Sequence, residues 1–316
     1  MGINSLEFNT KLTAELDKAV VHKSKTGFFA DNNFRAKFVG AKTVMLPELD
    51  LAGAGAYDRD GDQGFVRGAV TVTQRPYELT MERARSFQID REDADETGVA
   101  NLAGQIATEF VRTRIVPEMD AYNLSALAKV AAKVNEDTGK VAQLLSAAKA
   151  TLVQDSFSIL DEALRNSEDA SGGEEDMVAF VNPEFWAALC NAKEFERHIT
   201  VTDFKRGEVS TRVKSFNGCA LIPVPGARMK SEYEFYDGKT TGQEVGGFVP
   251  TDSAKDVYLI LMPKKGASLV KKTEQTRIYT PKQNLNADAY KIDYRIYYDL
   301  LVKRSQESAI WAALSE

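Results

Sequence analysis

The chain has 316 residues, of which 43% are hydrophobic and 27% charged, and its formal net charge is -6. These values are typical of a folded protein with one large domain or two to three small ones. The negative charge argues against a main surface that binds nucleic acid by neutralising phosphates, but not against a protein that encloses nucleic acid. No apolar run approaches the roughly 20 residues that span a bilayer, so we expect no membrane contact.

The N-terminal residues predict a docking arm followed by a hairpin. Residues 1–26 combine an apolar stripe with charged side chains, which predicts an amphipathic helix that must pack on its own body or on a neighbour. Residues 34–51 and 65–89 predict two strands, joined by the Gly-, Ala- and Asp-rich segment 52–64. A hairpin by itself is marginal in water, so we expect this one to need a partner surface.

The strongest helical pattern covers residues 93–134. Apolar residues such as Val99, Leu102 and Ile106 recur at helical spacing, and carboxylates stand at the start of the run. Pro117 falls inside the pattern and predicts a kink or a break into two helices. A helix of this length would span roughly 60 Å and lie across its domain.

The residues after this helix predict a compact mixture of helices and strands. Residues 137–169 predict two amphipathic helices. The apolar runs 177–181, 216–225 and 257–262 predict buried strands, and a helix is expected to begin at Pro183.

The alternation of apolar and polar residues over 290–302 is the clearest strand signal in the chain. One face contains Tyr290, Ile292 and residues at every second position after them, and we expect it to be packed. The opposite face, from Lys291 to Leu301, is expected to be mostly exposed to solvent. Residues 268–280 predict the antiparallel neighbour.

Few residues suggest chemistry. Asp58, Asp60 and Asp62 alternate as in calcium loops, but the Gly falls one place early and no Glu closes the loop. His22 and His198, the only two histidines, have no Cys or carboxylate at metal-ligand spacing. This shortage also argues against a Ser-His or Cys-His mechanism.

Two further groups have simple structural explanations. The acidic residues 90–96 match a helix N-terminus, where carboxylates are favourable. Cys190 and Cys219 are the only two cysteines, and we expect free thiols in a reducing compartment. We therefore predict no catalytic, cofactor-binding or metal-binding residues, no cofactor and no enzyme activity. The first residues have no apolar signal core, so we expect synthesis in the cytoplasm.

The order of these parts resembles the major capsid protein of tailed bacteriophages. The resemblance is carried by TVMLPELDLAGAGAYDRD in the hairpin, by FQID before the acidic helix start, by the strand ending in Asn182-Pro183, and by NGCALIPVP. It implies an α+β fold of the Hong Kong 97 type. Its implied parts are an N-terminal arm (1–33), an extended hairpin loop (34–89), a peripheral-domain spine helix (90–136), an axial domain (137–262) and the terminal strands of the peripheral domain (263–316).

The resemblance implies a structural protein of the virion. Such chains assemble as hexamers and pentamers, in the cytoplasm of the host bacterium, into an icosahedral shell that encloses double-stranded DNA without reading its sequence. The implied partners are further copies of the chain and separate scaffolding and portal proteins, because only residues 1–33 precede the hairpin. Some members crosslink a hairpin Lys to a neighbour's Asn. This chain has no Lys between Thr43 and Ala128, which predicts no such crosslink.

Two other interpretations remain open at this point. An encapsulin-type nanocompartment has the same fold and encloses an enzyme instead of a genome. A cytoplasmic α/β enzyme would need a site among residues 177–262 that the sequence does not reveal.

Overall fold

The computed structural model of the chain describes residues 24–32, 34, 37–40, 42–57, 59, 65–96, 102–138, 143–173, 176–192, 199–206 and 209–316. The predicted N-terminal helix falls almost entirely outside these residues, as do His22, His198 and the aspartates Asp58, Asp60 and Asp62.

The described strands and helices occur in runs along the chain. The strands are β1 Lys37–Val39, β2 Thr43–Leu51, β3 Val70–Glu78, β4 Met81–Asp90, β5 Leu144–Ala147, β6 Met177–Val181, β7 Ile199–Arg206, β8 Val209–Phe216, β9 Cys219–Pro223, β10 Tyr233–Phe235, β11 Phe248–Pro250, β12 Val257–Pro263, β13 Ala267–Tyr279, β14 Ala289–Val302 and β15 Trp311–Ser315. The helices are α1 Arg91–Glu96, α2 Leu102–Phe110, α3 Val116–Thr138, α4 Lys149–Gln154, α5 Ser156–Ser171, α6 Pro183–Asn191 and α7 Arg304–Glu307.

The predicted hairpin is formed by β2 and β3, which pair antiparallel from Thr43 opposite Glu78 to Leu51 opposite Val70. The long return strand expected over 65–89 is instead divided into β3 and β4. β4 joins a different sheet, of order β13-β14-β4. The division falls at Leu79 and Thr80, because Leu79 is buried in the body and Thr80 bonds to the carboxylate of Asp299.

Strand β14 confirms the predicted long strand, and β13 is its antiparallel neighbour. The prediction of a mostly wet second face is wrong for the C-terminal half of β14, where Tyr297, Asp299 and Leu301 are buried. The base of the hairpin covers this face, since Val44 and Leu46 pack with Tyr297 and Leu301 in one apolar cluster. Both faces of the sheet are therefore buried at this end.

A seven-stranded mixed sheet, of order β5-β15-β12-β6-β9-β8-β7, forms the second half of the molecule. The buried strands β6 and β12 confirm two of the predicted apolar strands. Helix α6 begins at Pro183 as predicted, and the Asn182 side chain accepts a hydrogen bond from Phe185 N. The helix expected near 144–147 is instead β5, because this short apolar run pairs in parallel with β15 at the sheet edge.

The predicted long helix connects the two sheets. α2 and α3 are joined by a π-helical segment, Val111–Ile115, in which Val116 N donates to Val111 O. This wide turn lies directly before Pro117, which cannot donate a backbone hydrogen bond, so the helix adjusts locally without breaking. α2 packs against β14, and α3 packs against β12 and β15. One apolar core therefore runs along the helix between both sheets.

Candidate functional site

The two faces of the hairpin differ between its root and its distal end. Successive side chains of a strand point to opposite faces. Val44 and Leu46 are on the face turned to the body and are buried. Further from the body this face becomes polar, with Glu48 opposite Thr73.

The outward face of the distal hairpin is aliphatic. Leu49 stands opposite Val72, and Leu51 stands opposite Val70, so the four side chains form one continuous patch. Each of the four is at least 60% exposed. Contiguous exposed apolar patches on a folded protein mark interaction surfaces. We call these four residues the aliphatic patch.

Two aromatic residues stand where the described parts of the hairpin approach its tip. The rings of Tyr57 and Phe65 meet edge to face, with centroids 5.0 Å apart. Phe65 is 80% exposed. The distal hairpin therefore presents apolar surface along its strands and also at the two ends of its tip segment.

A buried carboxylate fastens the root of the hairpin. Thr80, between β3 and β4, donates its N–H and its hydroxyl to Asp299 Oδ2 at 2.9 and 3.0 Å. Tyr122 of α3 donates its hydroxyl to Asp299 Oδ1 at 2.6 Å. Burial and the neighbouring Asp299 charge raise the pKa of Tyr122 well above its ordinary value, so this hydroxyl stays a donor. The hairpin, the helix and β14 are thus held at one point.

Replacing Asp299 with Asn should lower the free energy of unfolding by about 1–3 kcal/mol. Both carboxylate oxygens of Asp299 accept hydrogen bonds, from Thr80 and from Tyr122. In the Asn variant the amide NH₂ would replace one of these oxygens and would face a donor instead of accepting from it. Urea unfolding followed by circular dichroism measures the change. Ser86→Ala, which removes the exposed hydroxyl that donates to Asp293, is the control and should cost much less. Equal losses would contradict a special role for this joint.

A buried ion pair forms a second joint. Arg83 of β4 donates from Nε to Glu118 Oε1 at 2.5 Å, and the Glu118 side chain is 6% exposed. Arg83 also donates to the carbonyl oxygens of Tyr236 and Gly247 at 2.8 and 3.3 Å. Strand β4, helix α3 and the loop between β10 and β11 therefore meet at one guanidinium group.

Burial raises the pKa of Glu118 above its ordinary value of 4.5, and the Arg83 charge opposes that shift only in part. A carboxyl group whose folded pKa is raised contributes stability below its unfolded pKa and loses it as the pH rises through the folded pKa. The stability of the protein relative to Glu118→Gln should therefore decline as the pH is raised above the ordinary carboxyl value of 4.5. Urea midpoints of the two proteins across this range test the sign, and a relative gain with rising pH would contradict it.

The third joint holds the residues where the N-terminal segment enters the described structure. Asp120 of α3 is fully buried. Its carboxylate accepts from the Ser24 hydroxyl at 2.5 Å and the Thr26 hydroxyl at 2.8 Å, and also from the N–H groups of Lys25 and Thr26. Arg228 Nη1 pairs with it at 3.0 Å. One buried charge thus fixes this segment to the long helix.

Next to this joint, aromatic packing anchors the same segment. Phe28 and Phe29 are buried, and the centroid of each ring lies 6.1 Å from the centroid of the Phe180 ring in β6. Asn32 then donates to the carbonyl oxygens of Lys264 and Ala267. The chain that leaves residue 24 toward the N-terminus therefore starts from a rigid base.

Among the residues that the structure describes, the sequence candidates for chemistry are not brought together. Asp90 accepts from Glu92 N at 2.9 Å at the start of α1, which is the helix-start role expected for this acidic cluster. Cys219 is buried and Cys190 half-buried, and both are free thiols. Within the described ranges, no group of three or more His, Cys, Asp or Glu could hold a metal ion. Of the helices in those ranges, none has both the length and the apolar character needed to cross a membrane.

Sequence reasoning missed the three joint carboxylates, Glu118, Asp120 and Asp299. The sequence does contain a signal for these carboxylates, because each lies between apolar residues in the chain. Two of them follow Pro117 in the helix, and the third lies in the last part of β14. Buried acidic residues need partners. The partners are more than 30 residues away in sequence, so the pattern alone does not identify them.

Comparison with known proteins gives similarity at the level of the fold. No protein-family model and no curated protein matches the chain. The mature capsid of bacteriophage PhiM1 is 13% identical, with a TM-score of 0.55 over 87% of this chain and 82% of that chain. The capsid of Cyanophage P-SCSP1u is 11% identical, with a TM-score of 0.55 over 89% and 85%.

A virus-like particle from Pyrococcus furiosus is 11% identical and covers 98% of this chain and 100% of that chain, but its TM-score of 0.49 carries no argument. At these low identities the similarities establish the fold alone. The chain has the α+β fold of tailed-phage capsids, the Hong Kong 97 type, as its sequence predicts.

Proposed function

We propose that this chain is the major capsid protein of a tailed bacteriophage. Copies of it assemble as hexamers and pentamers into an icosahedral shell, in the cytoplasm of the host bacterium. The shell encloses double-stranded DNA. Separate scaffolding and portal proteins are further proposed partners, and the chain acts as a structural protein without enzyme activity.

The aliphatic patch is the observation that carries this proposal. Fully burying a Leu or Val side chain contributes about 1.5–3 kcal/mol relative to leaving it exposed. Four such side chains therefore represent several kcal/mol that the isolated chain does not gain. A hairpin whose distal strands leave an aliphatic face exposed to solvent is suited to contact a neighbouring copy.

The fold and the charge support the same function. The fold is shared with the capsids of bacteriophage PhiM1 and Cyanophage P-SCSP1u. The net charge of -6 disfavours adhesion to DNA, which suits a shell that encloses DNA without binding its sequence.

We propose the following division of the chain into capsid parts: an N-terminal arm at 1–33, an extended loop at 34–89, a spine helix at 90–136, an axial domain at 137–262 and peripheral strands at 263–316. The three polar joints would fix the arm, the extended loop and the spine helix to the body. The arm, the extended loop and the spine helix would thereby keep a fixed orientation relative to the body.

Sedimentation of the purified chain, with negative-stain microscopy of the fast fraction, tests the proposal. Hollow shells or rings of five and six subunits are the expected result. DNA inside shells made in infected cells would support the phage capsid, whereas a co-purifying cargo enzyme would favour the encapsulin-type compartment. A monomer or dimer that resists assembly even with scaffold and crowding agent would contradict both, and would direct attention back to the enzyme alternative.

Mature particles should give only a monomer band on a denaturing gel, with no covalent ladder. The stretch between Thr43 and Ala128 contains nearly all of the paired strands β2 and β3 and has no Lys to form a crosslink with a neighbour's Asn. A ladder that persists in reducing sample buffer would contradict this prediction.

A further inference from the structure

The turn between strands β8 and β9 consists of two residues, Asn217 and Gly218. Phe216 pairs with Cys219 on either side of it. Both turn residues have positive φ angles, 46° for Asn217 and 85° for Gly218. Positive φ at both central positions is the mark of a type I′ turn, in which Asn-Gly is a preferred pair. The same pair of residues that suits the turn is also chemically reactive.

Asn217 is the one asparagine in the chain that is followed by glycine. An asparagine loses its side-chain amide as ammonia when the backbone nitrogen of the next residue attacks the side-chain carbon Cγ. A side chain on that next residue hinders the attack, and Gly218 has none. The space around Gly218 is open as well, because a Cβ atom placed there would have no described atom beyond its two chain neighbours within 4 Å.

Both reacting groups are accessible. Asn217 and Gly218 are exposed to solvent. Within the described ranges, the Asn217 side chain makes no hydrogen bond, and the N–H of Gly218 donates to no acceptor. Asn166, which precedes Ser167, differs in this respect because it lies inside helix α5, where backbone N–H groups donate to carbonyl oxygens one turn earlier. The main obstacle at Asn217 is therefore the conformation of the turn itself.

A short ladder holds this turn closed. The printed register of β8 with β9 has two pairs, Ser215 with Ala220 and Phe216 with Cys219. β7 and β8 pair with each other along eight residues each and form the outer end of the seven-stranded sheet. This β7–β8 ribbon is thus joined to β9 next to the turn. Ladders with few hydrogen bonds open locally at low cost in free energy, so the turn can reach the geometry that the attack requires.

We propose that Asn217 is a site of spontaneous deamidation, and that one of its products loosens the β7–β8 ribbon. Gly218 N loses its proton to base and bonds to Asn217 Cγ, while the bond from Cγ to the side-chain nitrogen breaks and ammonia leaves. The succinimide ring that results takes up one water molecule at either of its two carbonyl carbons. Ring opening gives aspartate at position 217 or isoaspartate, in which the backbone passes through the former side chain.

The isoaspartate product changes the turn in two ways. It lengthens the backbone by one methylene group, for which a two-residue turn between the paired Phe216 and Cys219 has no place. It also adds a carboxylate at an exposed position. Phe216 and Cys219 are both buried, so the change acts at the margin of the packed core. The inference concerns a covalent change within one chain and does not depend on the proposed function.

Peptide mapping by mass spectrometry tests the reaction on the full chain, stored at mildly alkaline pH. Asn217 should deamidate at least about tenfold faster than Asn166, because helix α5 must open before the nitrogen of Ser167 is free to attack. The rate should rise with pH, since Gly218 N must lose its proton. Labelling with an isoaspartate methyltransferase identifies the isoaspartate product. Conversion of Asn217 no faster than that of Asn166 would overturn the inference.

Hydrogen exchange of fresh and stored protein tests the consequence. The backbone amides of 209–216 should exchange faster after storage. Asn217→Gly is the matched control, because Gly-Gly also forms a type I′ turn and has no side-chain amide to lose, and its exchange should not change on storage. Deamidated protein that exchanges like fresh protein, or a control that ages in the same way as the parent chain, would overturn the loosening. Neither result bears on shell assembly, which is tested separately.

Discussion

Replacing Arg83 with Met is expected to lower the free energy of unfolding by about 3–5 kcal/mol, because it leaves Glu118 buried without its partner. The same change removes the donor that the carbonyl groups of Tyr236 and Gly247 share. Three elements lose their common contact at once. Urea unfolding followed by circular dichroism at neutral pH is the measurement.

Two further variants identify the cause of that loss. Arg83→Met combined with Glu118→Met removes both charges, and it should recover much of the stability because no unpaired buried charge remains. Arg295→Met removes an exposed arginine from the same sheet, where it pairs with Glu82, and should cost less than about 1 kcal/mol. An Arg83→Met variant no less stable than Arg295→Met would show that the joint is not a stabilising element.

The elements whose signals are local could be predicted from the sequence. β14 alternates along its own length, and α6 begins at a proline that follows a capping Asn, so each pattern was sufficient by itself. The long helix was also predicted, because its apolar spacing continues on both sides of Pro117. The π-helical segment is a local adjustment that propensity does not encode.

The features that were missed depend on contacts between distant residues. The second face of β14 is buried because Val44 and Leu46, more than 200 residues earlier in the chain, pack against it. The division between β3 and β4 depends in the same way on Asp299. Residues 144–147 are compatible with a helix or a strand, and pairing with β15 decides between them. Sequence therefore predicted a hairpin that needs a partner surface, but not how the hairpin is attached to the body.

Replacing Leu51 with Glu and Val70 with Lys should abolish shell formation while leaving the subunit folded. The two residues stand opposite each other, so the introduced charges can pair across the strands and preserve the hairpin. Each aliphatic side chain lost from a contact would remove about 1.5–3 kcal/mol of association free energy, with a further cost to desolvate the new charges. Because 1.4 kcal/mol is a factor of ten in affinity, each contact should weaken by at least about 30-fold.

The opposite face of the hairpin supplies the matched control. Thr73→Lys, opposite Glu48, gives the same Glu–Lys cross-strand pair on the other face of the hairpin, where side chains point away from the aliphatic patch. Circular dichroism and urea midpoints should be nearly unchanged for both variants, and sedimentation should show shells for the control alone. Shells of normal yield from Leu51→Glu with Val70→Lys would mean that the patch stays exposed in the particle, and the chain would then have to assemble through its other surfaces. Loss of shells in both variants would point to the charge or rigidity of the hairpin. Only a difference between the two faces assigns the contact to the aliphatic patch.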